Sequence, residues 1–98
     1  MNRQEAMAIL SRNKLHLKSF QVNALYLFGS LVRDEAGPDS DIDILVEFNE
    51  GSRVGLFELA RLRAFLSEIL GCDADLVTSD ALHPMLKDDI LQELVRAA

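Results

Sequence analysis

Apolar residues fall into two rhythms along this chain, one with the period of strands and one with the period of helices. Ala24-Leu25-Tyr26-Leu27-Phe28 is a short apolar run that predicts a buried strand over 24–28. In 41–48, Ile42, Ile44, Val46 and Phe48 alternate with Asp41 and Asp43, so a second strand turns an apolar face one way and its acids the other. Ala74-Asp75-Leu76-Val77 opens a third strand over 74–78. Leu56, Leu59, Leu62, Leu66 and Ile69 recur at helical spacing until Gly71 offers a C-terminal stop. Residues 3–18 read as one helix of mixed periodicity, 30–35 as a short helical turn, 36–40 as a loop around Gly37-Pro38 and 49–53 as a turn. Pro84 sits near the start of a last helix carrying Leu86, Ile90, Leu91, Leu94 and Val95. The αβαβαβα order predicts an α/β (α+β) fold, a small mixed three-stranded sheet flanked by helices, with residues 1–98 as a single domain.

Composition narrows the classes. A chain of 98 residues that is 49% hydrophobic can bury one core, and no apolar run nears the ~18 to 20 residues that span a bilayer. The polar, charge-alternating N-terminus carries no secretory signal, which leads to a cytoplasmic expectation with no membrane contact. The single cysteine, Cys72, excludes an internal disulfide framework and a cysteine-rich zinc site. A net charge of −6, with ten basic residues spread along the chain, argues against direct nucleic-acid binding and suits a basic partner or a nucleotide held through metal ions.

The chemistry gathers at Gly29-Ser30 and, ten residues on, Asp41-Ile42-Asp43. Glycine permits a sharp turn where the first strand ends and lets backbone approach a ligand closely. Ser30 adds a hydroxyl and an N–H, and free N–H groups at the start of a short helix favour an anion such as a triphosphate. Asp41 and Asp43, roughly 6 to 7 Å apart on one strand face, can share a hard cation or bracket two ions about 3.5–4 Å apart. Without a ligand such a pair costs free energy through mutual repulsion. Magnesium suits all-oxygen ligands and retains waters and phosphate oxygens, so two or three carboxylates suffice.

This spacing, with LYLFGS, VRDEAGPDSDIDILVEF, VGLFELARL and ADLVTSDALHP around it, resembles the polymerase-beta-like nucleotidyltransferase superfamily and, within it, the minimal nucleotidyltransferase (MNT) family, from about Ala24 to Pro84. The resemblance implies a nucleotidyltransferase fold whose first strand is antiparallel to the other two. It implies that Gly29 and Ser30 form the phosphate-binding turn and that Arg33 matches the arginine following it. Asp41 and Asp43 are then metal ligands, and Asp75 is the third carboxylate, which helps deprotonate the acceptor hydroxyl. The pattern departs at Asp34, where the family often has glycine, and an acid there lies beside the phosphate site. MNT proteins are typically antitoxins encoded beside a HEPN-domain RNase toxin, and the better understood ones transfer AMP from ATP to a toxin tyrosine. The implied activity is therefore AMP transfer from ATP, with magnesium, or manganese in its place, as cofactor. A HEPN toxin is the implied partner, with room for self-association.

Other readings remain open from the residues alone. Asp73 shares the predicted face of Asp75, and either can be a surface acid; Arg33 can pair with Asp34, Glu35 or Asp39. His16 and His83 read as structural, Cys72 as a small packing residue, and Tyr26, Phe28 and the leucines of the third helix as core. A binding antitoxin that covers its toxin, or a nucleotide-sensing subunit, competes with the enzyme.

Overall fold

The computed structural model describes residues 2–32, 41–78, 92 and 94–98. Its elements are helices α1 (Arg3–Arg12) and α2 (Lys14–Ser19), strand β1 (Val22–Phe28), a 3-10 turn (Gly29–Leu31), strand β2 (Ile42–Phe48), helix α3 (Leu56–Leu70), strand β3 (Ala74–Thr78) and a short strand β4 (Val95–Arg96).

The helix expected over 3–18 is two helices, and Asn13 divides them. Asn2 starts α1, its side chain accepting from the Glu5 N–H at 2.8 Å. At Asn13 the side-chain amide donates to the Ile9 carbonyl at 2.8 Å, the acceptor its own N–H would use in a continuing α-helix. That N–H goes to the Leu10 carbonyl at 3.2 Å instead. Asparagine competes with the helical ladder in this way, and the chain restarts as α2.

Strands β1 and β2 are antiparallel, β2 and β3 parallel, and β4 antiparallel to β1, in the order β3-β2-β1-β4. The mixed sheet flanked by helices, with its first strand antiparallel to the next two, is the fold class expected from the pattern. It has four strands rather than three. Val95, expected on a last helix, lies instead in β4 opposite Leu27. The reason is the open edge of β1: the Ala97 N–H donates to the Leu25 carbonyl at 2.9 Å, and the Leu25 N–H donates to the Ala98 carbonyl at 3.0 Å. Leu86, Ile90 and Leu91 of that expected helix, with His83 and Pro84, lie outside the described residues.

Ile42, Ile44 and Val46 turn to one face of β2 and join Leu25 and Leu27 with Ala6, Leu10, Leu62, Leu66 and Leu70 from the helices in one buried cluster. Burial of each large aliphatic side chain contributes on the order of 1.5–3 kcal/mol. By alternation, Asp43 is then on the opposite face. Gly71, at φ +72°, ends α3 in the left-handed conformation that glycine adopts readily. Leu56 departs from the expected core: α3 begins there, and Leu56 and Phe57 are 81% and 82% exposed, while Leu62 and Leu66 are fully buried. His16 is exposed and packs its ring against Phe20 and Phe65, as a structural residue would. Among the described residues no helix is long and apolar enough to cross a membrane.

Candidate functional site

Gly29 closes β1 with φ +76° and begins the 3-10 turn that carries Ser30. Glycine is required there twice over. A side chain would be strained at that φ, and a Cβ on Gly29 would lie 3.0 Å from the Asp43 Cγ and closer still to one of its carboxylate oxygens. Leu31, next in the turn, is buried in the core and anchors it. Arg33 and Asp34 lie outside the described residues.

Strand pairing then brings the acids together. Asp43 is in register with Phe28 across the antiparallel ladder and with Asp75 across the parallel one. Residues opposite one another in a ladder share a face, so Phe28, Asp43 and Asp75 form a row across three strands, with neighbouring strands ~4.8 Å apart. Asp41 sits just before β2, exposed, and the Ile42 N–H donates to the Asp73 carbonyl at 3.0 Å, which brings Asp73 beside this end of β2. Of the two acids that sequence left open on this strand, Asp75 is the one aligned with Asp43.

The donor set is all oxygen and acidic, which suits a hard divalent cation that keeps part of its shell for waters and phosphate oxygens. Among the described residues no three acidic, histidine or cysteine side chains converge as a ready-made metal cluster. Asp43 and Asp75, in register on neighbouring strands, fit such an ion with substrate oxygens completing its shell.

Two residues without a sequence motif hold this arrangement from α3. Ser67 accepts from the Ala74 N–H at 3.0 Å, and the Arg63 Nε donates to the Ala74 carbonyl at 3.0 Å. Four positions apart, they share one helix face and grip both backbone groups of the residue just before Asp75. Their spacing beside the buried Leu62 and Leu66 was the available signal. Cys72 packs against the core, and burial pushes its thiol above the usual range, with the charges of Asp73 and Asp41 adding to the effect.

Two open spaces lie along α3. A groove of about 430 Å³ is lined by Leu56, Leu59, Ala60, Arg63, Asp73 and Leu76 among others, and a second of about 520 Å³ continues past Leu56 and Leu59 to Thr78.

Residues 10–97 match the nucleotidyltransferase domain family. A relative from Methanocaldococcus jannaschii, provisionally named a protein adenylyltransferase, is 51% identical over 69 residues, covering 70% of this chain and 72% of its own. The protein adenylyltransferase MntA of Thermococcus cleftensis is 38% identical over 93 residues, covering 94% of this chain and 92% of its own. Among solved structures, a provisionally assigned minimal nucleotidyltransferase superposes with a TM-score of 0.71 at 36% identity, covering 97% of this chain and 95% of that one. A complex of a tri-AMPylated Shewanella oneidensis HEPN toxin with its MNT antitoxin matches with a TM-score of 0.67 at 20% identity, covering 95% of this chain and 71% of that one, a likeness of fold.

Proposed function

The chain belongs to the nucleotidyltransferase domain family and is a nucleotidyltransferase; from that premise we propose that it transfers AMP from magnesium–ATP to a hydroxyl, a tyrosine in the first instance, of a HEPN-domain toxin, and so acts as its antitoxin. The observation that carries this reading is the packing of Gly29 against Asp43, which is itself in register with Asp75 on the neighbouring strand. It supports a reading in which the turn at Gly29 takes phosphate, Asp43 a metal ion and Asp75 a proton. The names of the relatives support adenylyl transfer to protein, and the AMPylated HEPN toxin bound to an MNT antitoxin supports the partner.

In this reading Gly29, Ser30 and Arg33 orient the triphosphate, the first two through the turn and the arginine through charge. Asp41 and Asp43, with Asp75 adjoining, hold the divalent cation, which when bound supplies charge stabilisation to the phosphoryl oxygens. Asp75 accepts the proton of the acceptor hydroxyl as its oxygen bonds to the α-phosphorus. The bond from that phosphorus to the bridging oxygen breaks, and pyrophosphate leaves. Positioning and electrostatics supply most of the acceleration, with no covalent enzyme intermediate.

The test is to mix the chain, magnesium–ATP and a HEPN-domain partner, separate the proteins, and measure the partner's intact mass and RNase activity. Added AMP on a partner that stays inactive after separation is the expected result. Full recovery of RNase activity with unchanged mass would refute transfer. That recovery is the signature of inhibition by contact alone.

A further inference from the structure

We propose that Arg63, together with Ser67, is a positioning residue for Asp75: by pinning the peptide planes that lead into it, α3 sets where the proton acceptor stands. This rests on the transfer reading above and names how its proton acceptor is held.

Asp75 is one residue from the start of β3, and its Cα–Cβ direction follows from the two peptide planes before it. A peptide group is planar, so holding it at both ends fixes its orientation. The plane joining Asp73 to Ala74 is held in this way: its carbonyl accepts from the Ile42 N–H at 3.0 Å, and its N–H donates to the Ser67 Oγ at 3.0 Å. The plane joining Ala74 to Asp75 is held with the sides exchanged. Its carbonyl accepts from the Arg63 Nε at 3.0 Å, and the parallel ladder turns its N–H toward β2. Strand β2 therefore grips one end of each plane and α3 the other.

The helix is a firm support for this grip. Leu62 and Leu66 are fully buried, and Arg63 and Ser67 each follow one of them along α3. The Ser67 backbone carbonyl also accepts from the Gly71 N–H at 2.9 Å, so the residue that receives β3 also closes the helix. Asp73 lines the same groove as Arg63, yet the Arg63 Nε goes to a neutral backbone carbonyl. Ala74 is fully buried, so water is poorly placed to replace either bond.

Asp43 is fixed independently, by its packing against Gly29. The two acids in register thus have separate supports, the turn for Asp43 and α3 for Asp75. A general base works at hydrogen-bond reach, and a misplacement of ~1 Å can cost 10²-fold in rate. Loosening the grip of α3 should therefore slow the chemical step and spare nucleotide binding.

Two near-isosteric substitutions test this. In Arg63→Gln the side-chain amide nitrogen falls where the Arg63 Nε stood, so a donor survives without the charge; Arg63→Met keeps the stem and loses the donor. Arg63 is exposed, so both variants should keep the fold. With a HEPN-domain protein as the probe and magnesium–ATP, single-turnover AMP transfer should fall about tenfold in Arg63→Met, with magnesium–ATP affinity as in the wild type. In Arg63→Gln it should stay within about twofold of the wild type. On an Asp75→Asn background, Arg63→Met should change the rate by less than about twofold, because the group it positions is gone. Amide exchange at Asp75, followed by NMR, should quicken about tenfold in Arg63→Met and not in Arg63→Gln.

An unchanged rate in Arg63→Met, an equal loss in Arg63→Gln, or an undiminished loss on the Asp75→Asn background overturns the positioning role and leaves transfer standing. If the wild type leaves no AMP on the probe, transfer falls and amide exchange alone judges the grip: faster exchange at Asp75 in Arg63→Met upholds it, and unchanged exchange overturns it.

Discussion

Gly29 leaves no room for a Cβ against Asp43: the end of β1 and the acid of β2 are packed so closely that the missing side chain is what lets the carboxylate stand beside the turn. The turn and Asp43 are therefore one packed unit rather than two adjacent motifs.

Gly29→Ala and Gly51→Ala separate that packing from simple backbone strain. Both glycines have positive φ, +76° and +77°, but a Cβ on Gly51 meets nothing within 4 Å. Gly51→Ala should cost about 1–2 kcal/mol of stability, the left-handed penalty alone. Gly29→Ala should cost more and also abolish nucleotide-induced stabilisation. Urea denaturation with and without magnesium–ATP measures both; equal losses in the two variants would mean that the contact with Asp43 does not matter.

Asp43→Asn should leave the fold intact, because it removes one of two like charges in register across β2 and β3. Magnesium–ATP at ten times its dissociation constant should stabilise the wild type by about 1.4 kcal/mol and this variant by much less. Thermal shift reads the difference, and identical shifts would remove the pair from nucleotide binding.

Asp75→Asn should split binding from chemistry. A proton acceptor contributes about 10²–10⁴-fold to rate, so under the proposed role single-turnover AMP transfer should slow by that order while nucleotide affinity is largely kept. A parallel fall in affinity and rate would instead give Asp75 the role of a metal ligand alone.

Ser67→Ala leaves the N–H of Ala74, a fully buried residue, without its acceptor. The expected cost is about 1–3 kcal/mol, with a fall in transfer rate that Ser67→Thr restores, since its hydroxyl can take the same bond. Unchanged stability in Ser67→Ala would show that the start of β3 is held by other contacts.

Alkaline pH should weaken the fold through Cys72. Its folded pKa is raised, chiefly by burial, with Asp73 and Asp41 acting in the same direction, so its protonated form favours the native state. That contribution is whole below the thiol's unfolded value of about 8.5 and is lost as pH climbs through the higher folded value. Denaturant midpoints from neutral to alkaline pH should fall less steeply in Cys72→Ala than in the wild type.

Much of the site was legible because its signals are local. Alternation in 41–48 placed Asp43 away from the core, Gly29 marked the turn, and Ala74–Thr78 emerged with the expected bounds. What escaped depends on contacts distant in sequence or on a side chain overruling its backbone. The Asn13 break hinges on one amide reaching the Ile9 carbonyl, whereas periodicity carries through it. Strand β4 exists because β1 accepts it, and its two residues have no rhythm of their own. Leucine spacing identified α3 but could not tell that its first turn, at Leu56, is left uncovered. Arg63 and Ser67 acquire their role from where β3 happens to pass.

The final residues work as a plug. With Val95 opposite Leu27 and both Ala97 and Ala98 bonded to Leu25, the segment 95–98 seals the flank of β1 that lies farthest from β3. Cutting the chain after Leu94 would strip that seal from an apolar strand, and separate molecules could then join flank to flank through it.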